Sequence, residues 1–184
     1  MTTYISILRG INVSGHNIIK METLKKSYTS LGFQNIITYI QSGNVVFQFK
    51  KSGQLKIEKM IKDKIADDFG YDVPVIVIDY PKLKNVILNN PFLCNNNVNL
   101  SMLHVTFLSA VPEKSNVDKL KDVDYTPDKF LVVDDVVYLY FPDGYGNTKL
   151  NNNFFENKLK VIATNRNWNT VNKLCKIAES NNNS

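Results

Sequence analysis

The sequence predicts an α+β protein in which one six-element order, β-α-β-β-α-β, is traversed twice. Three observations carry this reading. β-branched and aromatic runs alternate with apolar residues at helical spacing, two pairs of such runs close over tight polar turns, and glycine stands where helices must end.

Thr3–Leu8 (TYISIL) reads as a strand that Arg9-Gly10 ends. Met21, Leu24, Tyr28 and Leu31 recur at helical spacing, with Gly32 supplying a left-handed stop. Ile36–Ile40 and Val45–Phe49 form a hairpin around Gln41-Ser42-Gly43-Asn44. Ile57, Ile61, Ile65 and Phe69 mark a second helix closed by Gly70, and Val73–Ile78 is a strand. Asp79 with Pro81 starts a connecting helix, Pro81–Leu88.

After a loop, Asn89–Asn99, the order repeats. Leu100–Ser109 is a strand, Ser115 caps a short helix through Leu120, and Lys129–Val133 with Val136–Phe141 makes a hairpin over Asp134-Asp135. Leu150–Lys160 is helical with Phe154, Phe155 and Leu159 inward, Val161–Thr164 is a short strand, and Thr170–Glu179 is a final helix with Val171, Leu174 and Ala178 on one face. The hairpins demand antiparallel neighbours, which argues against a continuous doubly wound sheet. Two tandem ferredoxin-like units with antiparallel sheets, each followed by an extra helix, satisfy the pattern. The expected division is a first unit over residues 1–90, a second over 91–180, and a frayed tail at 181–184.

A chain of 184 residues with 43% hydrophobic content can bury a core for one domain or two small ones. No run approaches the roughly 20 apolar residues that cross a bilayer, and the N-terminus lacks the pattern of a secretion signal, so a cytoplasmic setting without a membrane partner is expected. Cys94 and Cys175 show no metal-ligand spacing, so no metal site is expected, and no motif calls for a cofactor. The net charge of +5 permits contact with phosphates, although most lysines stand beside acids, as on an ordinary solvated helix face. Asparagine runs at Asn95–Asn97, Asn151–Asn153 and Asn181–Asn183 read as compositional bias.

Four polar segments at strand ends are the stretches that packing leaves unexplained. In Arg9-Gly10-Ile11-Asn12-Val13-Ser14-Gly15-His16-Asn17, glycines can turn backbone N–H groups outward and Arg9 offers a forked donor. Ser42 and Asn44 lie in the first hairpin turn, whose chemistry also suits the turn alone. In Pro142–Leu150, two glycines and Lys149 precede a helix. Thr164-Asn165-Arg166-Asn167-Trp168-Asn169-Thr170 concentrates more polar side chains at the opening of the last helix than one cap needs. His104, alternating within a strand, reads as structural.

LRGINVSGHN, TYIQSGNVVF, NPF at Asn90–Phe92, PDGYGNTKL and ATNRNWNTV resemble the successive signature blocks of the DUF1697 family, a bacterial domain of unknown function. The resemblance spans nearly the whole chain. It implies a duplicated ferredoxin-like fold in a bacterial cytoplasmic protein, and implies no activity, substrate or catalytic residue. Thr148 departs from the family's frequent serine before Lys149 but keeps the hydroxyl.

Three functions compete. The first is binding of a small phosphate- or carboxylate-bearing ligand in a polar cleft between the units, held by Arg9, Lys149 and Arg166, oriented by Asn12, Ser42, Asn44, Thr164 and Asn167, and walled by Trp168. His16 would be its acid–base candidate, though no motif places a catalytic partner beside it. The second is a single-stranded nucleic-acid module stacking bases on strand aromatics; Phe47 and Phe49 share a strand face and are equally well placed as core. The third is a structural or interaction protein using its edge strands. The sequence leaves enzymatic activity and oligomeric state open.

Overall fold

In the computed structural model, which describes residues 1–94, 98–121 and 123–182, the opening β-branched run forms β1 (Thr2–Leu8), buried along nearly its whole length. Helix α1 (Met21–Ser30) follows, then the hairpin of β2 (Gln34–Tyr39) and β3 (Asn44–Phe49), helix α2 (Gln54–Phe69) and β4 (Val75–Asp79). These strands pair antiparallel in the order β2-β3-β1-β4. Adjacent β1 and β3 are central, which is why their polar as well as apolar members are buried.

One sheet face carries Tyr4, Leu8, Val45, Phe47, Phe49, Val75 and Val77 against Leu24 and Tyr28 of α1 and Ile57, Ile61 and Ile65 of α2. The four-residue spacing of those isoleucines puts them on one helical stripe. Phe33 stacks on Phe47 at 4.4 Å between ring centroids, and Tyr28 meets both edge-on. Gly70 closes α2 in the left-handed conformation at φ 72°.

Helix α3 (Tyr80–Leu88) starts as expected, with the Lys82 N–H donating to Asp79 Oδ1 at 2.9 Å. The second set of elements is β5 (Leu103–Leu108), α4 (Lys114–Lys121), β6 (Lys129–Val133), β7 (Val136–Tyr140), α5 (Asn152–Leu159), β8 (Ala163–Asn167) and α6 (Trp168–Asn182). Its strands pair antiparallel in the order β6-β7-β5-β8. Leu108, Val137, Leu139, Phe141 and Ala163 pack with Leu120, Leu150, Phe155 and Leu159. The fold is therefore α+β, with two four-stranded antiparallel sheets and, among the described residues, six α-helices. The chain divides into Met1–Asn85 with Lys173–Ser184 as unit 1 and Val86–Asn172 as unit 2, so α6 has residues in both.

Several local expectations are corrected. Strand β5 begins at Leu103 because Asn99 Oδ1 accepts from the Ser101 N–H and folds Leu100–Met102 into a 3-10 turn. Ser115 lies inside α4, whose first turn closes on the Glu113 carbonyl. Asn151, whose Oδ1 accepts from the Phe154 N–H at 3.0 Å, caps α5 and delays its start to Asn152. Asn181 and Asn182 are not frayed: both are helical, and Asn181 is only 4% exposed. Its Nδ2 donates to the Asn35 carbonyl at 2.9 Å, its carbonyl accepts from Gln48 Nε2, and Asn35 Nδ2 donates to Gln48 Oε1, a closed ring of amides within unit 1. The Asn95–Asn97 run, Asn183 and Ser184 lie outside the described residues.

Candidate functional site

The first and second polar segments meet inside unit 1. Asn12, at φ 54°, donates through Nδ2 to the carbonyls of Ile19 and Gln41, both at 2.9 Å, and its Oδ1 accepts from the Ile19 N–H at 2.8 Å. Its amide thus ties the loop after β1 to the hairpin turn. The Leu8 N–H donates to the Gly43 carbonyl at 2.8 Å, and Asn17 Nδ2 to the Gly10 carbonyl. Asn44 is fully buried, with Nδ2 donating to Ser42 Oγ at 2.8 Å. Arg9 is half-buried, and its N–H donates to the Pro74 carbonyl. His16 is exposed in the tight turn that its N–H closes on the Val13 carbonyl.

The fourth segment opens the last helix, as the sequence suggested, only from Trp168 onward. Strand β8 runs on through Thr164, Asn165, Arg166 and Asn167 because each aligns with a β5 residue: Asn165 with Thr106, Arg166 with Val105, Asn167 with His104. Pairing with β5 captures polar residues that would not nominate a strand by themselves. Two of the segment's three asparagines, and Asn172 one turn into the helix, have defined hydrogen bonds. Asn165 Nδ2 donates to Thr106 Oγ1 at 2.9 Å, Asn167 Oδ1 caps α6 by accepting from the Thr170 N–H at 2.8 Å, and Asn172 Nδ2 donates to the Trp168 carbonyl. Trp168 opens α6 and is 5% exposed.

In unit 2 the third and fourth segments approach each other through Tyr145. The 3-10 turn Tyr145–Asn147 lays the Tyr145 ring on His104, centroids 5.0 Å apart, with Phe141 edge-on to Tyr145 at 5.7 Å. Tyr145 also lies within the electrostatic field of Arg166. Register places Arg166 opposite Val105, on the sheet face away from His104, and on this outer strand its Nη1 donates to the Asn165 carbonyl at 2.8 Å. Although partly exposed, Arg166 is densely surrounded, and desolvation lowers its guanidinium from 12.5 to about 10; it stays charged at neutral pH.

His104 is 8% exposed, and burial holds its imidazole down at about 4, so the ring is neutral at physiological pH. Its Nδ1 is buried with no hydrogen-bond partner, as is Thr164 Oγ1. Register places Thr164 opposite Phe107, on the other sheet face from His104. Lys149 is exposed in a separate cleft of about 250 Å³ with Asp124, Thr126, Asp128 and Asn147. Thr148 beside it donates to Asp128 Oδ2 and accepts from the Leu150 N–H, using the hydroxyl that the sequence retains.

In the sequence His104 reads as structural, and Tyr145 is not singled out within its segment. A histidine inside a largely apolar strand was the available signal, and its ring stacking depends on a turn some forty residues away. Among the described residues no group of three His, Cys, Asp or Glu side chains could hold a metal ion, and no helix is long and apolar enough to cross a membrane.

A solved structure of a conserved bacterial protein from Streptococcus pneumoniae is similar to this chain over 96% of its length and 98% of that protein's, with a TM-score of 0.70 and 19% sequence identity, a likeness of fold. No curated protein matches. The sequence model of a family described as "Protein of unknown function (DUF1697)" matches residues 1–138, with PDGYGNTKL and ATNRNWNTV beyond the matched stretch. With three quarters of its length matched, this chain belongs to the DUF1697 family.

Proposed function

We propose that the chain binds a small anionic ligand, bearing phosphate or carboxylate, at the end of the second sheet where Arg166, Tyr145 and His104 lie. The observation that carries the reading is His104 Nδ1, a buried nitrogen without a partner, in a ring stacked on the tyrosine that Arg166's charge reaches. Leaving such an atom unpaired costs about 1–3 kcal/mol, which a ligand hydrogen bond would recover. Arg166 supplies a permanent, poorly hydrated charge suited to a forked contact with an oxyanion. Asn167 and Trp168 adjoin Arg166 in sequence, whereas Thr164, on the other sheet face from His104, and Lys149, in its separate cleft, stand apart from this site. Arg9, Ser42, Asn44 and His16 belong to unit 1 and are not part of this site, and Asn12 serves by holding its loop in place.

Thermal-shift screening over nucleotides, phosphorylated sugars and dicarboxylates tests this. A ligand should raise the melting temperature of the wild type and leave Arg166→Met and His104→Phe unmoved. If no anion stabilises the wild type, or the variants respond equally, the assignment fails. The nucleic-acid reading is weaker, because Phe47 and Phe49 belong to the core of unit 1. Two further readings are ours: each unit is ferredoxin-like, supported by the shared order 2-3-1-4 counted within each unit, and the protein works in a bacterial cytoplasm.

A further inference from the structure

Strand β2 is an outer strand of its sheet, and its free side opens onto a groove of about 520 Å³ lined by Lys25, Thr29, Phe33, Asn35, Ile37 and Asn181 among others. Past Ile37 it continues into a hollow of about 220 Å³ formed with Lys173, Lys176, Ile177 and Ser180. All these residues belong to unit 1. Three lysines and no acid line the two hollows, and among the described residues none of the three is in an ion pair. Excess lysine over a scattered surface says little. Here the charges converge on one strand edge from helices on either side, Lys25 on α1 and Lys173 and Lys176 on α6.

The edge itself is only half guarded. A bulge between Gln34 and Ile37, with Asn35 at φ 49°, breaks the ladder at the start of β2, and Asn181 occupies the Asn35 carbonyl. From Ile37 to Tyr39 the strand is regular against Val46 to Asn44. Protected edges place a charge or proline on the strand at such a point, whereas this one carries Ile37 at 41% exposure.

We propose that unit 1 receives an extended acidic segment of a partner protein, added as a fifth strand along β2. An added strand sends alternate side chains to opposite sheet faces. Those on the α1 side meet Lys25, and those on the α6 side meet Lys173 and Lys176 across the apolar floor of Ile37 and Ile177. Carboxylates with interspersed aliphatic residues complement both faces. Single-stranded nucleic acid matches the charge but not the surface: the one aromatic ring in the groove, Phe33, is buried in the core and offers no stacking platform.

The test is fluorescence anisotropy of the full chain with a labelled, end-blocked octapeptide of sequence Glu-Glu-Val-Val-Glu-Glu-Val-Val, which puts carboxylates on both faces of an added strand. Three comparison probes are its lysine–valine counterpart, a version with central prolines, and a labelled oligothymidine. The glutamate peptide should bind and weaken at least fivefold between 50 and 300 mM salt. Its affinity should drop at least tenfold in the double variant Lys173→Glu, Lys176→Glu, whose exposed sites leave the melting temperature unchanged. The proline version, unable to extend the ladder, should not bind, and hydrogen exchange of β2 amides should slow only with the glutamate peptide. No binding of the glutamate peptide, equal binding of the lysine peptide, insensitivity to the double variant, or tighter binding of oligothymidine overturns the proposal.

Discussion

Gly43 offers the sharpest test of how the two polar segments of unit 1 are held together. It stands at φ 74° in the β2–β3 turn, and a Cβ added there would lie 2.6 Å from Leu8 Cβ and 2.9 Å from Ile11 Cδ1. The first contact is with a Cβ fixed to the backbone of a central strand, so it cannot swing away. Placing an L-residue in the left-handed region costs about 1–2 kcal/mol, and forcing a methyl into packed surroundings typically about 1–3 kcal/mol more. Gly43→Ala should therefore destabilise by about 2–5 kcal/mol. Gly15→Ala is the internal control: φ is 79°, but nothing lies within 4 Å of the added Cβ, so only the conformational cost of about 1–2 kcal/mol applies. Urea unfolding of both variants, monitored by circular dichroism, measures the difference. Equal losses would refute the steric argument and mean that the loop after β1 does not pack on the turn as described.

Three more outcomes follow from the same structure. Asn12→Ala removes both hydrogen bonds to carbonyls and the one from the Ile19 N–H, and should cost about 2–4 kcal/mol, read from the urea midpoint; a loss below 1 kcal/mol would show the loop to be held by other contacts. His104 titrates at about 4 in the fold against 6.5 when free, so the unfolded chain binds the extra proton between those values. Its contribution, about 3 kcal/mol, is complete above pH 6.5 and lost as the pH falls towards 4, and His104→Leu should flatten that part of the stability profile. Asn181→Ala opens the amide ring with Asn35 and Gln48 and should cost about 1 kcal/mol, with faster hydrogen exchange at the C-terminal end of α6; unchanged exchange there would leave the ring without mechanical effect.

The order of elements was legible because it rests on local signals. Ile57, Ile61 and Ile65 announce a helix face, Gly70 a left-handed stop, and Gln41–Asn44 a turn, whatever the rest of the chain does. The candidate site was legible only in pieces. Arg166 stood out as a charge amid asparagines, yet the segment was read as a helix opening because its side chains lack strand character; pairing with β5 made it a strand. The stack of His104 on Tyr145 joins residues far apart in the chain, a relation that no periodicity encodes.

From its sequence alone this protein was determined to be α+β, to repeat one six-element order, and to carry its unexplained polar residues at strand ends, since each follows from spacing and backbone preference within a few neighbours. Tertiary structure decided which of those polar residues are struts and which stand near a neutral buried histidine. It also decided that three scattered lysines border one strand edge and that Asn181 is a buried anchor in place of a frayed end. Burial, register and the convergence of charge arise when distant segments exclude water from one another, and that is a property of the folded chain.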